Sequence, residues 1–197
     1  MNEKCVIEKY VETYKDSYKD NVLVIMVGVP GSGKTTVSKF LENEGIAKIS
    51  TDDLKSFYEN EEYQIKDLFI LQYKIIETLM KLNIGIVADS NSDKEVFREI
   101  LKELAKKYNY RHEIIYCFAN KDTINKRMQE RKKIGKFYVP PDKIDKFFDE
   151  LEIPIDSINV NTNLDLNYTN KQLLEIVAKI KSGGKENDEK GTDHFSI

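Results

Sequence analysis

Six apolar residues run without interruption from Val22 to Val27 and end in a glycine-rich turn, Gly28-Val29-Pro30-Gly31-Ser32-Gly33-Lys34-Thr35-Thr36. A continuous apolar run of strand length is expected of a central parallel strand covered on both faces. The turn matches G-x-x-x-x-G-K-[ST] and opens a helix predicted over 34–43, with Val37, Phe40 and Leu41 inward and Gly45 as its stop. Glycines let such a loop wrap tightly, so that consecutive backbone N–H groups point inward at anionic oxygens. The new helix adds its positive end at the same point. Gly28, Pro30, Gly31, Ser32, Gly33, Lys34, Thr35 and Thr36 are therefore expected to hold the phosphates of ATP. Lys34 would reach the β- and γ-phosphates, and the Thr35 hydroxyl would ligate Mg²⁺.

The alternation of strand and helix continues along the chain. Short strands are predicted at 46–49, 84–88, 113–118 and 157–160. Helices are predicted over 64–82, 94–108 and 123–133, from Pro140-Pro141-Asp142 through 148, and over 171–181. This pace implies an α/β fold, a parallel sheet sandwiched between helices, and with the glycine-rich turn the expectation is a P-loop NTPase sandwich of the nucleotide-kinase type with a helical lid. Three segments are expected: an amphipathic helix within 1–20, a P-loop domain over 21–181 and a disordered tail over 182–197. In the first, Ile7, Tyr10, Val11, Tyr14 and Tyr18 recur at helical spacing across 3–19. The tail is Gly-rich and charged with no apolar period.

Composition narrows the function classes. No apolar run approaches the ~20 residues that span a bilayer, and no membrane partner is expected. The opening residues lack the basic-then-apolar order of a secretion signal. Cys5 and Cys117 supply no disulfide framework, and Cys117 lies in an apolar run, so a buried thiol in a cytoplasmic protein is expected. The net charge of −3 argues against a globally basic nucleic-acid binder. Locally, residues 121–136 hold seven Lys/Arg against two Asp/Glu, which leaves room for a basic site.

Carboxylates stand at two strand ends, where ligands of an open parallel sheet bind. Asp52 and Asp53 follow the second strand, and one of them could accept the proton of an attacking hydroxyl, with Asp52 favoured and Asp53 structural or secondary. Either could equally cap the next helix, as could Thr51. Asp89 ends the third strand, with Asn91 just beyond it. Such a pair can hold a metal-bound water or a substrate hydroxyl, although Asp89, Ser90 or Ser92 could simply cap the following helix. Arg127 and Arg131 lie four residues apart, on one helix face, as arginines that neutralise a phosphoryl group in flight would. A solvated charged face has the same pattern. Gly135 and Pro140-Pro141 suggest a mobile segment that closes over the nucleotide.

Taken together, Gly-Val-Pro-Gly-Ser-Gly-Lys-Thr-Thr, Ile-Ser-Thr-Asp-Asp-Leu-Lys, Ala-Asp-Ser-Asn and Lys-Arg-Met-Gln-Glu-Arg-Lys-Lys resemble the 5′-kinase domain of phage-type polynucleotide kinases. More broadly the chain is similar to the P-loop kinases grouped with AAA-type ATP-binding and zeta-toxin-like proteins. The resemblance runs from about residue 22 to 148. It implies Asp52 as general base, Lys34 and Thr35 on the triphosphate and metal, Asp89 in the acceptor pocket, and Arg127 and Arg131 as lid residues engaging ATP. Asp53, Lys55 and Asn91 complete the expected acceptor side.

Departures are specific. An arginine that clasps the acceptor's phosphate in the family stands here as Lys55, which keeps the charge but loses the bidentate fork. Positions where the family tends to carry two further arginines hold Val96 and Phe97, with Arg98 next. The N-terminal helix has no counterpart, and no phosphatase motif follows. The expected activity is transfer of the γ-phosphoryl of ATP to a hydroxyl, with a polynucleotide 5′-OH as first acceptor. A nucleoside, sugar or nucleotide sugar, or an ATP-hydrolysing switch, are the alternatives.

Overall fold

The computed structural model describes residues 3–55, 57, 65–90, 92–163 and 166–183. Helix α1 (Glu3–Tyr14) leads into strand β1 (Val22–Val27) and helix α2 (Lys34–Asn43). Strand β2 (Ala47–Ser50), the short helix α3 (Thr51–Lys55), helix α4 (Ile65–Met80) and strand β3 (Ile86–Asp89) follow. Then come α5 (Glu95–Lys107), β4 (Arg111–Phe118), α6 (Lys121–Lys133), α7 (Pro141–Glu150), β5 (Ile158–Asn161) and α8 (Leu166–Lys181). The five strands form one sheet in the order β2-β3-β1-β4-β5, and every pairing is parallel. Because all strands run the same way, Gly28, Ser50, Asp89, Phe118 and Asn161 gather at one edge of the sheet.

β1 is the axis of the fold. Its six side chains are all 0% exposed, which an unbroken apolar run demands. Leu23, Ile25 and Val27 pack with α1, α4 and α5 on one face, against residues such as Leu71, Ile75 and Leu104. Val22, Val24 and Met26 pack on the other face with Val37 and Leu41 of α2 and Val177 and Ile180 of α8. A third cluster joins Val29 to Ile124 and Met128 of α6 and Ile144 of α7, fastening the lid helices to the loop after β1. Cys117 is buried, and that burial pushes its thiol up to about 12, so it behaves as an apolar filler.

The N-terminal helix belongs to this same core. Val6, Tyr10 and Tyr14 are buried with Leu68 and Leu71 of α4. The Tyr14 hydroxyl is shared between Glu42 Oε1 at 2.5 Å and the Lys48 carbonyl at 3.0 Å, and burial raises its pKa further than either partner does. The helix stops at Tyr14 rather than at 19 because the chain must turn into β1: Ser17 N–H donates to Tyr14 O and Tyr18 N–H to Gly45 O. Tyr18 therefore leaves the helical stripe and donates to the Lys181 carbonyl instead. The same turn delays β3, since Gly85 N–H donates to Tyr18 O at 2.8 Å before the ladder with β1 begins at Ile86. The last helix begins at Leu166, earlier than expected. The expected disordered segment from 184 onward lies outside the described residues, as does Asn91.

Tyr14→Phe deletes one shared hydrogen bond in a buried setting and should lower the unfolding free energy by about 1 kcal/mol. Urea denaturation of the purified variant measures it, and an unchanged midpoint would remove Tyr14 from the account of how α1 is held.

Candidate active site

The loop between β1 and α2 is bent into a cup by backbone angles that side chains resist. Gly31 and Gly33 have φ of 85° and 97°. A Cβ on Gly31 would lie 2.8 Å from Met128 Cε of α6, and one on Gly33 would lie 2.9 Å from Thr162 Cγ2 beyond β5. These glycines thus serve conformation and close approach together. The Ser32 hydroxyl is buried against the loop's own backbone near Gly28, without a hydrogen-bond partner. An orphaned hydroxyl at that depth costs about 1–3 kcal/mol.

Lys34 folds back over the cup, its Nζ donating to the carbonyls of Gly28 at 2.5 Å and Val29 at 3.3 Å. Burial lowers its pKa from the ordinary lysine value, and the nearby Asp89 carboxylate pulls the other way. Carbonyl groups are modest partners for an ammonium, so a phosphate would displace them.

The carboxylates sort by the helix they start. Asp52 and Asp53 are neighbours on α3, and one step of about 100° along a helix turns them to different faces. Asp52 is ion-paired with Lys55 and lines the cavity in front of the phosphate loop. Asp53 turns away from that cavity and pairs at 2.6 Å with Lys48, a side chain only 4% exposed. It therefore anchors α3 to β2, a place that differs from the expected acceptor contact. Asp89 is buried at the tip of β3 and accepts from the Ser38 hydroxyl at 2.7 Å. Burial raises its pKa above the ordinary carboxylate value, while the Ser38 hydrogen bond and Lys34 pull it down.

The two lid arginines separate. Arg127 donates to Gly31 O and Thr162 Oγ1, both at 3.0 Å, and to Thr162 O at 2.6 Å, tying the loop to the end of β5. Burial and the neighbouring Arg131 charge lower its pKa. Arg131 lines the same cavity as Asp52. That cavity, about 450 Å³, gathers Pro30, Gly31, Gly33, Lys34, Thr35, Asp52, Lys55, Asp89 and Arg131. Its apolar side is made of Leu68, Phe69, Phe137 and Phe147. A second cavity of about 410 Å³ lies across the loop and includes Thr36, Arg127, Ile134 and Thr162.

Several of these residues escaped sequence reasoning. Thr162 carries no motif, yet its hydroxyl bonds Ser32 O at 2.8 Å as well as Arg127. Ser38 is one helical turn beyond Lys34, a spacing that could have flagged it. The aromatic wall comes from three separate elements and has no local signal. Arg98, near the positions of the family's arginines, is 3% exposed and spends its guanidinium on the carbonyls of Ser92 and Asp93.

Residues 23–154 match the AAA domain family AAA_33. The chain belongs to that family. Solved structures similar to this AAA_33 chain include a protein of Chloroflexus aurantiacus J-10-fl assigned as a kinase, at 17% identity and a TM-score of 0.67 over 84% of this chain and 98% of the other. A gluconokinase from Sinorhizobium meliloti 1021 matches at 17% identity with a TM-score of 0.57, covering 85% and 96% of the two chains. A chain of the Pnkp1/Rnl/Hen1 RNA repair complex matches at 15% identity and 0.59, over 80% of this chain and 47% of that one. At such identities the likeness establishes the P-loop kinase-like fold. These relatives differ in what they act on, so the acceptor must be read from this AAA_33 chain's own side chains. Among the described residues, no helix is long and apolar enough to cross a membrane.

The Ser38–Asp89 contact gives this site a pH signature. Asp89's folded pKa lies above its unfolded one, so its contribution to stability is complete below the ordinary aspartate value and is lost as pH rises through the folded value. Ser38→Ala removes a contact that favours the carboxylate and raises the folded pKa further. The variant should therefore lose more stability relative to wild type at about pH 7 than at about pH 3.5, below the ordinary aspartate pKa. Chemical denaturation at the two pH values checks this, and an equal loss at both would contradict it.

Proposed function

We propose that the protein is an ATP-dependent kinase that transfers the γ-phosphoryl group to a hydroxyl, with a polynucleotide 5′-OH as the acceptor. The observation that carries this reading is the convergence of Lys34, Thr35, Asp52, Asp89 and Arg131 on one cavity. A phosphate loop alone serves any nucleotide-binding protein. A carboxylate facing the loop across a cavity with a cation at its mouth is what hydroxyl transfer needs.

In this reading the triphosphate lies on the loop N–H groups that follow Pro30, those of Gly31 and of Gly33 to Thr35, since Ser32 N–H donates to Val29 O, and Lys34 leaves its carbonyl partners for the β- and γ-oxygens. The nucleoside sits on the side of Arg127 and Thr162. Thr35 and, through water, Asp89 would hold the Mg²⁺ ion, which supplies charge neutralisation on the phosphates. Among the described residues no group of three or more His, Cys, Asp or Glu gathers around one point, so such an ion would rely on the nucleotide itself for most of its ligands. Asp52 accepts the proton of the acceptor hydroxyl as its oxygen attacks the γ-phosphorus. The bond from that phosphorus to the bridging oxygen breaks, and ADP leaves with the electron pair. Lys55 holds the Asp52 carboxylate in place, and Arg131 faces the oxygens that gain charge. Phe69, Phe137 and Phe147 supply ring faces for a base next to the reacting hydroxyl.

Incubation with γ-labelled ATP and a 5′-OH oligonucleotide should label the oligonucleotide. Asp52→Asn should keep nucleotide affinity and lower transfer by about 10²- to 10⁴-fold. Full transfer in that variant would remove Asp52 from the base role. Label found only in free phosphate, whatever the acceptor, would replace the kinase with a hydrolysing switch.

A further inference from the structure

Beside the acceptor cavity, and continuous with it through Thr35, Asp52, Lys55 and Arg131, lies an open trough of about 740 Å³. Its floor is one face of α2, where Thr35, Thr36, Lys39 and Asn43 recur at helical spacing. Its far wall is the lid segment that follows α6, with Lys136 and Phe137. Among the described residues the one carboxylate in its lining is Asp52, which is paired with Lys55. Lys39 and Lys136 are exposed and have no side-chain partner among the described residues. Many surface lysines of this acidic chain are paired, among them Lys15, Lys74, Lys102, Lys107 and Lys121. Phe137, 70% exposed, lies between the trough and the cavity.

Two unneutralised lysines in the lining of one open channel, with an exposed ring beside them, fit an anionic chain that carries flat bases. We propose that this trough binds the backbone phosphates of a single-stranded nucleic acid, with Lys39 and Lys136 each neutralising one phosphate and Phe137 stacking a base. The strand would run outward along α2 from a 5′ end placed at Asp52, an orientation that rests on the kinase reading. A single strand is specified because a base must leave its neighbours to meet the ring, which a duplex does not allow.

The test is fluorescence anisotropy of a 3′-labelled single-stranded decamer at several salt concentrations, with nucleotide affinity measured in parallel. Lys136 also borders the cavity beside Arg127, whereas Lys39 does not, so Lys39→Ala is the decisive variant. It should weaken decamer binding by about tenfold and reduce the slope of log affinity against log salt by about 0.7, the contribution of one single-strand phosphate. Its ATP affinity and its melting temperature should not change. Adding Lys136→Ala should take the slope change to about 1.4. Decamer binding that is absent in the wild type, or unaltered in Lys39→Ala, overturns the trough even if the protein phosphorylates a nucleoside or a sugar. Salt-dependent binding that requires Lys39 sustains the trough even if no hydroxyl is ever phosphorylated, in which case the kinase reading alone fails.

Discussion

Everything at the working edge of this molecule depends on the close approach of backbone at Gly31 and Gly33. Because neither carries a Cβ, Met128 of the lid and Thr162 beyond β5 can press directly onto the loop. The loop is thus clamped between a buried strand, a helix start, a lid and a strand tip, and Arg127 closes the clamp by bonding Gly31 and Thr162 at once. A chain of N–H groups can bind an anion strongly only if it is held open beforehand, since ordering it on binding would cost affinity. The clamp supplies that order.

A second line of support reaches the site from the other end of the chain. Tyr14 on α1 bonds the Lys48 carbonyl, Lys48 reaches Asp53, and Asp53 sits beside Asp52 on a helix of only five residues. A helix that short has little stability of its own. Its position is set by the ion pair beneath it and by Leu54, which is fully buried. The N-terminal helix therefore braces the strand and helix that present the proposed base. The same physics explains why adjacent aspartates take unlike places: one faces a cavity and the other a buried lysine.

Much of this was readable beforehand, and the reasons differ by element. The apolar run at β1 and the glycine pattern after it determine a strand, a turn and a helix within a few residues of one another, so local rules suffice. The alternation of short strands and amphipathic helices conveys the parallel sheet for the same reason. What could not be read depends on contacts between distant segments. The end of α1 is set by Gly45 and Ile84, which pair with the turn that follows it. Asp53 could be expected either on the acceptor side or in a structural place, and only the buried Lys48 beneath α3, which no local pattern announces, decides between them. Arg127 and Arg131 share one face in sequence, yet Thr162, thirty-five residues further along, captures the first and leaves the second in the cavity lining. The aromatic wall draws on α4, α7 and the segment between α6 and α7, and its existence is a property of the folded chain alone.

The central claim is that residues 28–35 form a preorganised anion cradle completed by the Lys34 ammonium. Isothermal titration of Mg·ATP into the wild-type protein and into Lys34→Ala tests it most directly. Saturable one-to-one binding by the wild type, weakened by about tenfold to a hundredfold in the variant as the loss of a charge-assisted contact requires, is the predicted result. No binding by a folded wild-type protein, or equal binding by both, would contradict it.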